Sequence, residues 1–378
     1  MPCKTIHLPL VLGMTNPLFT PFKCKGLELP NRIVMAPMTR SFSPGGVPGQ
    51  NVIDYYSRRA AADVGLIITE GTPPDRAGAT GTPNVPNFYK KDALEGWGNV
   101  LKSVHGAGGR IAPQIWHEGL MRKPGTGPNP DAPSDSPSGI THRGKQVAKA
   151  SSDSDIADMI MSYGRAAAQA SSMGFDAMEI HGAHGYLIDE FFWDVMNKRE
   201  DKYGGDFLER TRFAHDVISE VKKHMREDMP LILRWSQWKQ QDYTAKLAKT
   251  PYELEAFIGL LADAGVDIFH CSTRRFWEAE FGGSDLNLAG WVKKLSGKPT
   301  IVVGSVGLSG DFVNALVKAE TSQPANLDGL LERMDRGEFD LVAVGRALLK
   351  DPEWASKIKD GRHDELLEYK PEDMGVLF

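Results

Sequence analysis

The chain has 378 residues, 44 Lys plus Arg against 49 Asp plus Glu, and 41% hydrophobic residues, enough apolar material for a buried core rather than a disordered segment. A net charge of −5 without a basic block removes the attraction that a nucleic-acid or acidic-membrane binder needs, and leaves small molecules as the expected partners. Cys3, Cys24 and Cys271 are too few and scattered for a disulfide framework, a thiolate zinc site or an iron–sulfur cluster, and no apolar run reaches the roughly 18 residues of a membrane span, so a reduced, cytoplasmic setting is expected.

Residues 6–14 are mildly apolar behind Lys4, but His7, Pro9 and the lack of a small-residue cleavage site read as a plain N-terminal extension rather than a signal peptide. Short β-rich runs then recur at 33–36, 66–69, 111–116, 177–180, 231–235, 267–271, 300–303 and 341–344. Helical spacing of apolar residues fills 51–62, 93–105, 154–173, 209–225, 251–264 and 310–318. Ser154 or Asp155 can cap the third of these helices and Gly174 can end it by adopting positive φ. Eight strands alternating with helices predict an α/β fold, a single (β/α)8 TIM barrel occupying residues 1–378 as one domain with an N-terminal cap. The stretch 117–153 is rich in Pro, Gly, Ser and Asp without helical period, and is expected to form a lid or small hairpin over the barrel mouth after the third strand.

Active sites of such barrels lie at the carboxyl ends of the strands. The polar residues there are Thr39, Glu70 with Gly71, Gln114, His181 with His184, Arg234, Ser272, Gly304 with Ser305, and Gly345 with Arg346. The last two ends combine small residues, backbone N–H groups and a guanidinium, which suits a phosphate; a tight turn and a structural ion pair are the plainer alternative. In His181-Gly182-Ala183-His184-Gly185-Tyr186, two neutral imidazoles can donate to one carbonyl oxygen and a protonated phenol can give a proton. The imidazoles can also bind a metal or simply bond each other in the core; no carboxylate or His-X-His pair after the first strand completes a metal shell. Arg234, inside an apolar strand, needs an anionic partner, either a nearby Glu or a cofactor that becomes anionic in turnover. Gln114 can satisfy buried backbone or read a heterocycle edge.

Three further segments, Leu18-Phe19-Thr20-Pro21-Phe22, Asn31 to Arg40 (N-R-I-V-M-A-P-M-T-R) and Asn197 to Gly205 (N-x-R-x-D-x-Y-G-G), stand in the order of a known family. With the strand-end residues above, the sequence resembles the Old Yellow Enzyme family of FMN-dependent ene-reductases over nearly its whole length. The resemblance implies FMN, tightly but non-covalently bound across the barrel mouth, and NADPH or NADH as reductant. Thr39, Gln114 and Arg234 would meet the ring system, Ala36, Pro37 and Gly71 would let the backbone approach it, and Gly304, Ser305, Gly345 and Arg346 would hold the phosphate. His181 and His184 would grip the carbonyl or nitro oxygen of an activated alkene, with hydride coming from flavin N5 and a proton from Tyr186. Trp116, with Trp235, Trp238, Phe276, Trp277 and Phe281, would shape the substrate pocket. The His-x-x-His pair resembles one branch of the family, whereas Thr39 stands where that branch often has Cys. Oxidative demethylation of N-methylated amines on the same site is the alternative within the family, and a metal-dependent barrel hydrolase or a flavin-storage protein the alternatives outside it. The sequence leaves the physiological substrate, nucleotide preference and oligomeric state open.

Overall fold

The computed structural model describes residues 16–310 and 318–378. The extension at 6–14, Cys3 and all but the two end residues of the helix expected at 310–318 lie outside the described residues. A short antiparallel hairpin, β1 (Phe22–Cys24) and β2 (Leu27–Leu29), comes first. Eight parallel strands follow: β3 (Ile33–Met35), β4 (Leu66–Thr72), β5 (Arg110–Ile115), β6 (Met178–His184), β7 (Leu231–Lys239), β8 (Ile268–Ser272), β9 (Thr300–Val303) and β10 (Leu341–Val344). They pair in that order, and β10 returns to β3 to close the barrel. Closure leaves the barrel itself without a free strand edge.

The strands are largely apolar toward their amino ends because both faces are buried, one against helices and one inside the barrel. Val34, Leu66, Ile68, Ala112, Ile232, Ile268, Ile301 and Leu341 fill the interior, and Phe22, Leu27 and Leu29 of the hairpin pack onto them and close the amino-terminal end. The hairpin is the expected N-terminal cap. Its turn is tied down where the Gly26 N–H donates to the Asp228 carbonyl (2.8 Å) and Lys25 pairs with Asp267 (2.8 Å).

The outer layer contains α1 (Gln50–Ala61), α2 (Lys91–Gly106), α3 (Asp153–Met173), α4 (Leu187–Phe192), α5 (Arg212–His224), α6 (Pro251–Ala264), α7 (Leu288–Ser296) and α8 (Asp328–Asp335), followed by α9 (Arg346–Lys350) and α10 (Trp354–Lys359). Helix α3 starts one residue before its expected first residue. Ser152, not Ser154 or Asp155, is the cap, because its hydroxyl accepts the Asp155 N–H while the Asp155 carboxylate accepts the Ser152 N–H. Gly174 ends that helix at φ 90° as expected.

Residues 117–153 form an ordered excursion with a single antiparallel bridge, Ile140 to Gln146. Arginines hold it back: Arg122 donates to the carbonyls of Ala132 and Asn129 (2.8 and 2.6 Å), and Arg199 to those of Pro137 and Ser151 (2.9 and 2.7 Å). Thus anchored, the segment supplies no residue to the cavity at the barrel mouth, which is framed instead by the loops after β7, β8 and β9 and by Met374.

Candidate active site

Inward-facing positions recur every second residue along a strand, so the interior changes character two residues above its apolar floor. Ala112, Ile232 and Ile268 are followed by Gln114, Arg234 and His270, and Glu179 joins them from β6. These four form a buried polar layer. The Gln114 amide donates to Glu179 Oε1 (2.7 Å), and His270 Nδ1 lies 2.6 Å from Glu179 Oε2. Since a carboxylate only accepts, Glu179 fixes which way the Gln114 amide faces and leaves its carbonyl and second N–H for the cavity above. Arg234 feels Glu179 as its main favourable charge while burial pulls the guanidinium pKa down. Its Nε is buried without a partner. A glutamate is near, as one reading of Arg234 expected, yet donor capacity remains unspent.

One cavity gathers the chemistry. Ala36, Pro37, Thr39, Gly71, Gln114, Trp116, His181, His184, Tyr186, Arg234, Gly304, Ser305, Gly345 and Arg346 all line it. Gly71 is brought inward by an irregularity between Ile68 and Gly71 in the β4–β5 pairing, and a Cβ there would sit 3.0 Å from Trp116. Of the aromatic residues expected at the pocket, only Trp116 and Trp238 are there. Trp235 faces away and packs on Phe257, Phe276 and Phe281 belong to the core, and Trp277 is exposed; alternation along β7 turns residue 235 outward because it turns residue 234 inward.

The two histidines are partly positioned by backbone irregularity. The β6–β7 register shifts between Gly182 and His184, and His184 takes φ 65°, a conformation costing a non-glycine residue about 1–3 kcal/mol. Its N–H donates to the Ser236 hydroxyl (3.0 Å), and its ring leans on Trp238 at 4.6 Å. The rings do not both offer free N–H groups. The Ala183 N–H points at His181 Nδ1 (3.3 Å), which assigns the proton to Nε2; that nitrogen lies 3.2 Å from His184 Nδ1, and His184 Nε2 lies 2.8 Å from the Ser272 hydroxyl. Burial, reinforced by Arg234, holds both imidazole pKa values well below the usual histidine range, so both are neutral at pH 7. Tyr186 stands edge-on to both His181 (5.0 Å) and Trp116 (5.2 Å). Burial raises its pKa above the ordinary phenol value, which keeps the proton on the oxygen. Among the described residues no group of three or more His, Cys, Asp or Glu side chains is placed to hold a metal ion.

At the far end, Gly304 and Ser305 take positive φ, and a Cβ on Gly304 would lie 2.5 Å from the Thr273 hydroxyl. The backbone N–H groups of Gly304, Ser305 and Gly345 have no acceptor among the described residues. A Cβ at Gly345 would find nothing closer than 3.7 Å, so open space adjoins it. Arg346 donates to the Gly310 carbonyl (2.6 Å) and the Ser322 hydroxyl (3.1 Å), and the Ser305 hydroxyl reaches the Arg274 carbonyl (2.9 Å). Among the described residues the cavity wall contains Arg234, Arg274 and Arg346 but no carboxylate. Unspent N–H donors at one end, a donor–acceptor amide and a buried guanidinium at its base, and no acid among the described lining residues fit FMN, whose tail is anionic and whose ring edge is rich in acceptors.

Sequence reasoning did not single out Glu179, His270, Gln240, Thr273, Arg274 or Met374 as site residues. Glu179 and His270 had a signal, a charged or titratable residue on the inward register of an apolar strand. Met374 had none, since it reaches the cavity through packing of the C-terminal segment.

A parallel eight-stranded barrel with this donor set at its carboxyl end defines a candidate flavin-binding barrel. The model of the NADH:flavin oxidoreductase / NADH oxidase family matches residues 17–365, and the chain belongs to that family, the Old Yellow Enzyme family, with FMN as its cofactor. It is 32% identical over 364 residues to an NADH oxidase of Thermoanaerobacter brockii, covering 92% of this chain and 52% of the relative. An NADPH dehydrogenase of Halalkalibacterium halodurans is 32% identical over 349 residues (90% and 93% covered), and 12-oxophytodienoate reductase 2 of Arabidopsis thaliana 32% over 354 (89% and 87%). The chain spans about half the length of the first curated relatives it matches. Among solved structures, morphinone reductase in complex with tetrahydroNAD superposes with a TM-score of 0.79 at 25% identity, covering 95% of this chain and 94% of the other. No helix of the described residues is long and apolar enough to cross a membrane.

Proposed function

We propose that the protein uses NADPH or NADH to reduce the activated C=C bond of α,β-unsaturated carbonyl or nitro compounds. The observation that carries this reading is the triad of His181, His184 and Tyr186, two neutral imidazoles and a protonated phenol in contact at the mouth of the same cavity as Gln114 and Arg234. FMN, when bound, supplies hydride transfer from N5 to the β-carbon. In this reading Gln114, Thr39 and Arg234 hold its ring, Ala36, Pro37 and Gly71 form the wall beside it, and Gly304, Ser305, Gly345 and Arg346 hold its phosphate. Likeness to 12-oxophytodienoate reductase 7 of Oryza sativa, 39% identical over 217 residues, and to morphinone reductase solved in complex with tetrahydroNAD supports this reading.

The chain's own part is polarisation and proton delivery. A carbonyl oxygen arriving beside the pair accepts the His181 Nε2–H in place of His184 Nδ1. Ser272 lets the second ring follow: its hydroxyl can donate as well as accept, so His184 can take a hydrogen bond at Nε2 and carry its proton on Nδ1, facing the same oxygen. Two N–H donors then stabilise the charge that grows on the oxygen, and Tyr186 gives its proton to the α-carbon. Ser272→Ala is expected to lower kcat/KM for an enone about 3- to 10-fold, the worth of one neutral hydrogen bond, while Ser272→Thr keeps most activity. Steady-state assays check this, and an alanine variant equal to wild type would remove Ser272 from the relay.

The direct test of the function is the visible spectrum of the purified protein, followed by anaerobic reduction with NADPH and addition of 2-cyclohexenone. A yellow protein bleached by the nucleotide and recoloured by the enone is expected. A colourless protein that FMN does not reconstitute, or one recoloured by no activated alkene, would overturn the reading.

A further inference from the structure

Arg274 follows β8 and lines the cavity, yet among the described residues its guanidinium has no hydrogen bond and no ion pair. Its recorded contact is with the face of Tyr243, 5.8 Å from the ring centre. Tyr243 stacks on Trp238 at 5.6 Å, and Trp238 on His184 at 4.6 Å, so this cation belongs to the aromatic wall that runs outward from the imidazole pair along the loop after β7. Its main chain faces the opposite element, where the Arg274 carbonyl accepts from the Ser305 hydroxyl after β9. The other two arginines of the cavity have work already: Arg234 sits in the buried layer with Glu179, and Arg346 is bonded to Gly310 and Ser322. Among the described residues no acid in the cavity wall competes for Arg274.

We propose that Arg274 is the anion anchor for the nicotinamide reductant, binding a phosphate of NADPH or NADH as the nucleotide lies along the Trp238–Tyr243 wall. The inference rests on the proposed function and extends it to the recognition of the electron donor. A neutral enone finds its polar contacts at His181 and His184 and gives Arg274 no counter-charge, whereas a dinucleotide brings one on every turnover. A guanidinium that neighbours an aromatic ring and, among the described residues, bonds no other group keeps its N–H fork free for bidentate phosphate binding.

The test compares NADPH, NADH and N-benzyl-1,4-dihydronicotinamide, which has no phosphate, as reductants of wild-type, R274A and R274K holoenzyme. R274A is expected to raise the KM for NADPH at least about tenfold more than that for the benzyl compound, with R274K intermediate, because a charge-assisted hydrogen bond is lost. Calorimetric titration with 2′,5′-ADP is expected to show weaker binding in R274A. Equal losses with NADPH and NADH locate the contact at the pyrophosphate, and a loss with NADPH alone at the 2′-phosphate. The same factor for NADPH and the benzyl compound, with unchanged 2′,5′-ADP binding, overturns the proposal. Wild-type holoenzyme that none of the three reductants bleaches overturns the proposed function and this anchor with it.

Discussion

Replacing Tyr186 by phenylalanine is expected to slow alkene reduction about 10²- to 10⁴-fold while leaving reduction of the cofactor by NADPH close to its wild-type rate. The phenol stands in edge contact with His181 and burial raises its pKa, so under the proposed function its proton is retained until the α-carbon takes it. Phenylalanine keeps the ring that packs on Trp116 and His181 and removes only the oxygen. Rapid-mixing measurements of the two half-reactions separate the effects. Equal loss in both would show that Tyr186 shapes the cavity and does not deliver the proton.

The second large effect concerns stability. Lys239 and Asp189 are both fully buried, with Nζ 2.6 Å from Oδ1, and the other Asp189 oxygen accepts the Gly185 N–H at 2.7 Å. Burial pushes the carboxyl pKa up and the ammonium pKa down, so each group depends on the other to remain charged. Lys239→Met strands the carboxylate and is expected to cost about 3–5 kcal/mol in the denaturant-unfolding free energy. Asp189→Asn combined with Lys239→Met should recover most of that loss, because the asparagine carbonyl still accepts the Gly185 N–H and no bare charge remains. If the double variant is no more stable than the single one, the destabilisation comes from packing of the lysine stem. The pair pins the turn between His184 and Tyr186, so the single variant should also lose alkene-reducing activity.

Much of the barrel was legible because strands buried on both faces print as short apolar runs, and all eight were readable in order. Their ends were less so. The runs at 66–69, 177–180 and 231–235 stop where polar residues begin, whereas β4, β6 and β7 continue to Thr72, His184 and Lys239. Those extensions carry Gly71, His181 and His184, whose side chains or backbone turn inward through register shifts that no periodicity encodes. Helices α7 and α8 escaped notice because nine and eight residues give too few turns for a clear apolar stripe. The cavity residues themselves were readable as a set because the carboxyl ends of barrel strands converge whatever the loops do. What stayed hidden was their bonding to one another: the His181–His184–Ser272 chain and the grip of Glu179 on Gln114 join residues from different strands. Several segments that carried the family resemblance turn out to be framework. Arg32 bonds the Thr20 hydroxyl and the Asp340 carbonyl, and Asn197 bonds the carbonyls of Phe191 and Tyr203.

Among the described residues, the filled barrel interior and the hairpin beneath it close the amino-terminal end, so the cavity opens at the carboxyl end. With Phe22, Leu27 and Leu29 sealing one end, whatever enters the cavity leaves by the route it came. Under the proposed function, electron donor and electron acceptor must then take turns, the spent nucleotide departing before the alkene is admitted. Initial rates plotted in double-reciprocal form should accordingly give parallel lines, a kinetic signature set by three apolar side chains at the opposite pole from the chemistry.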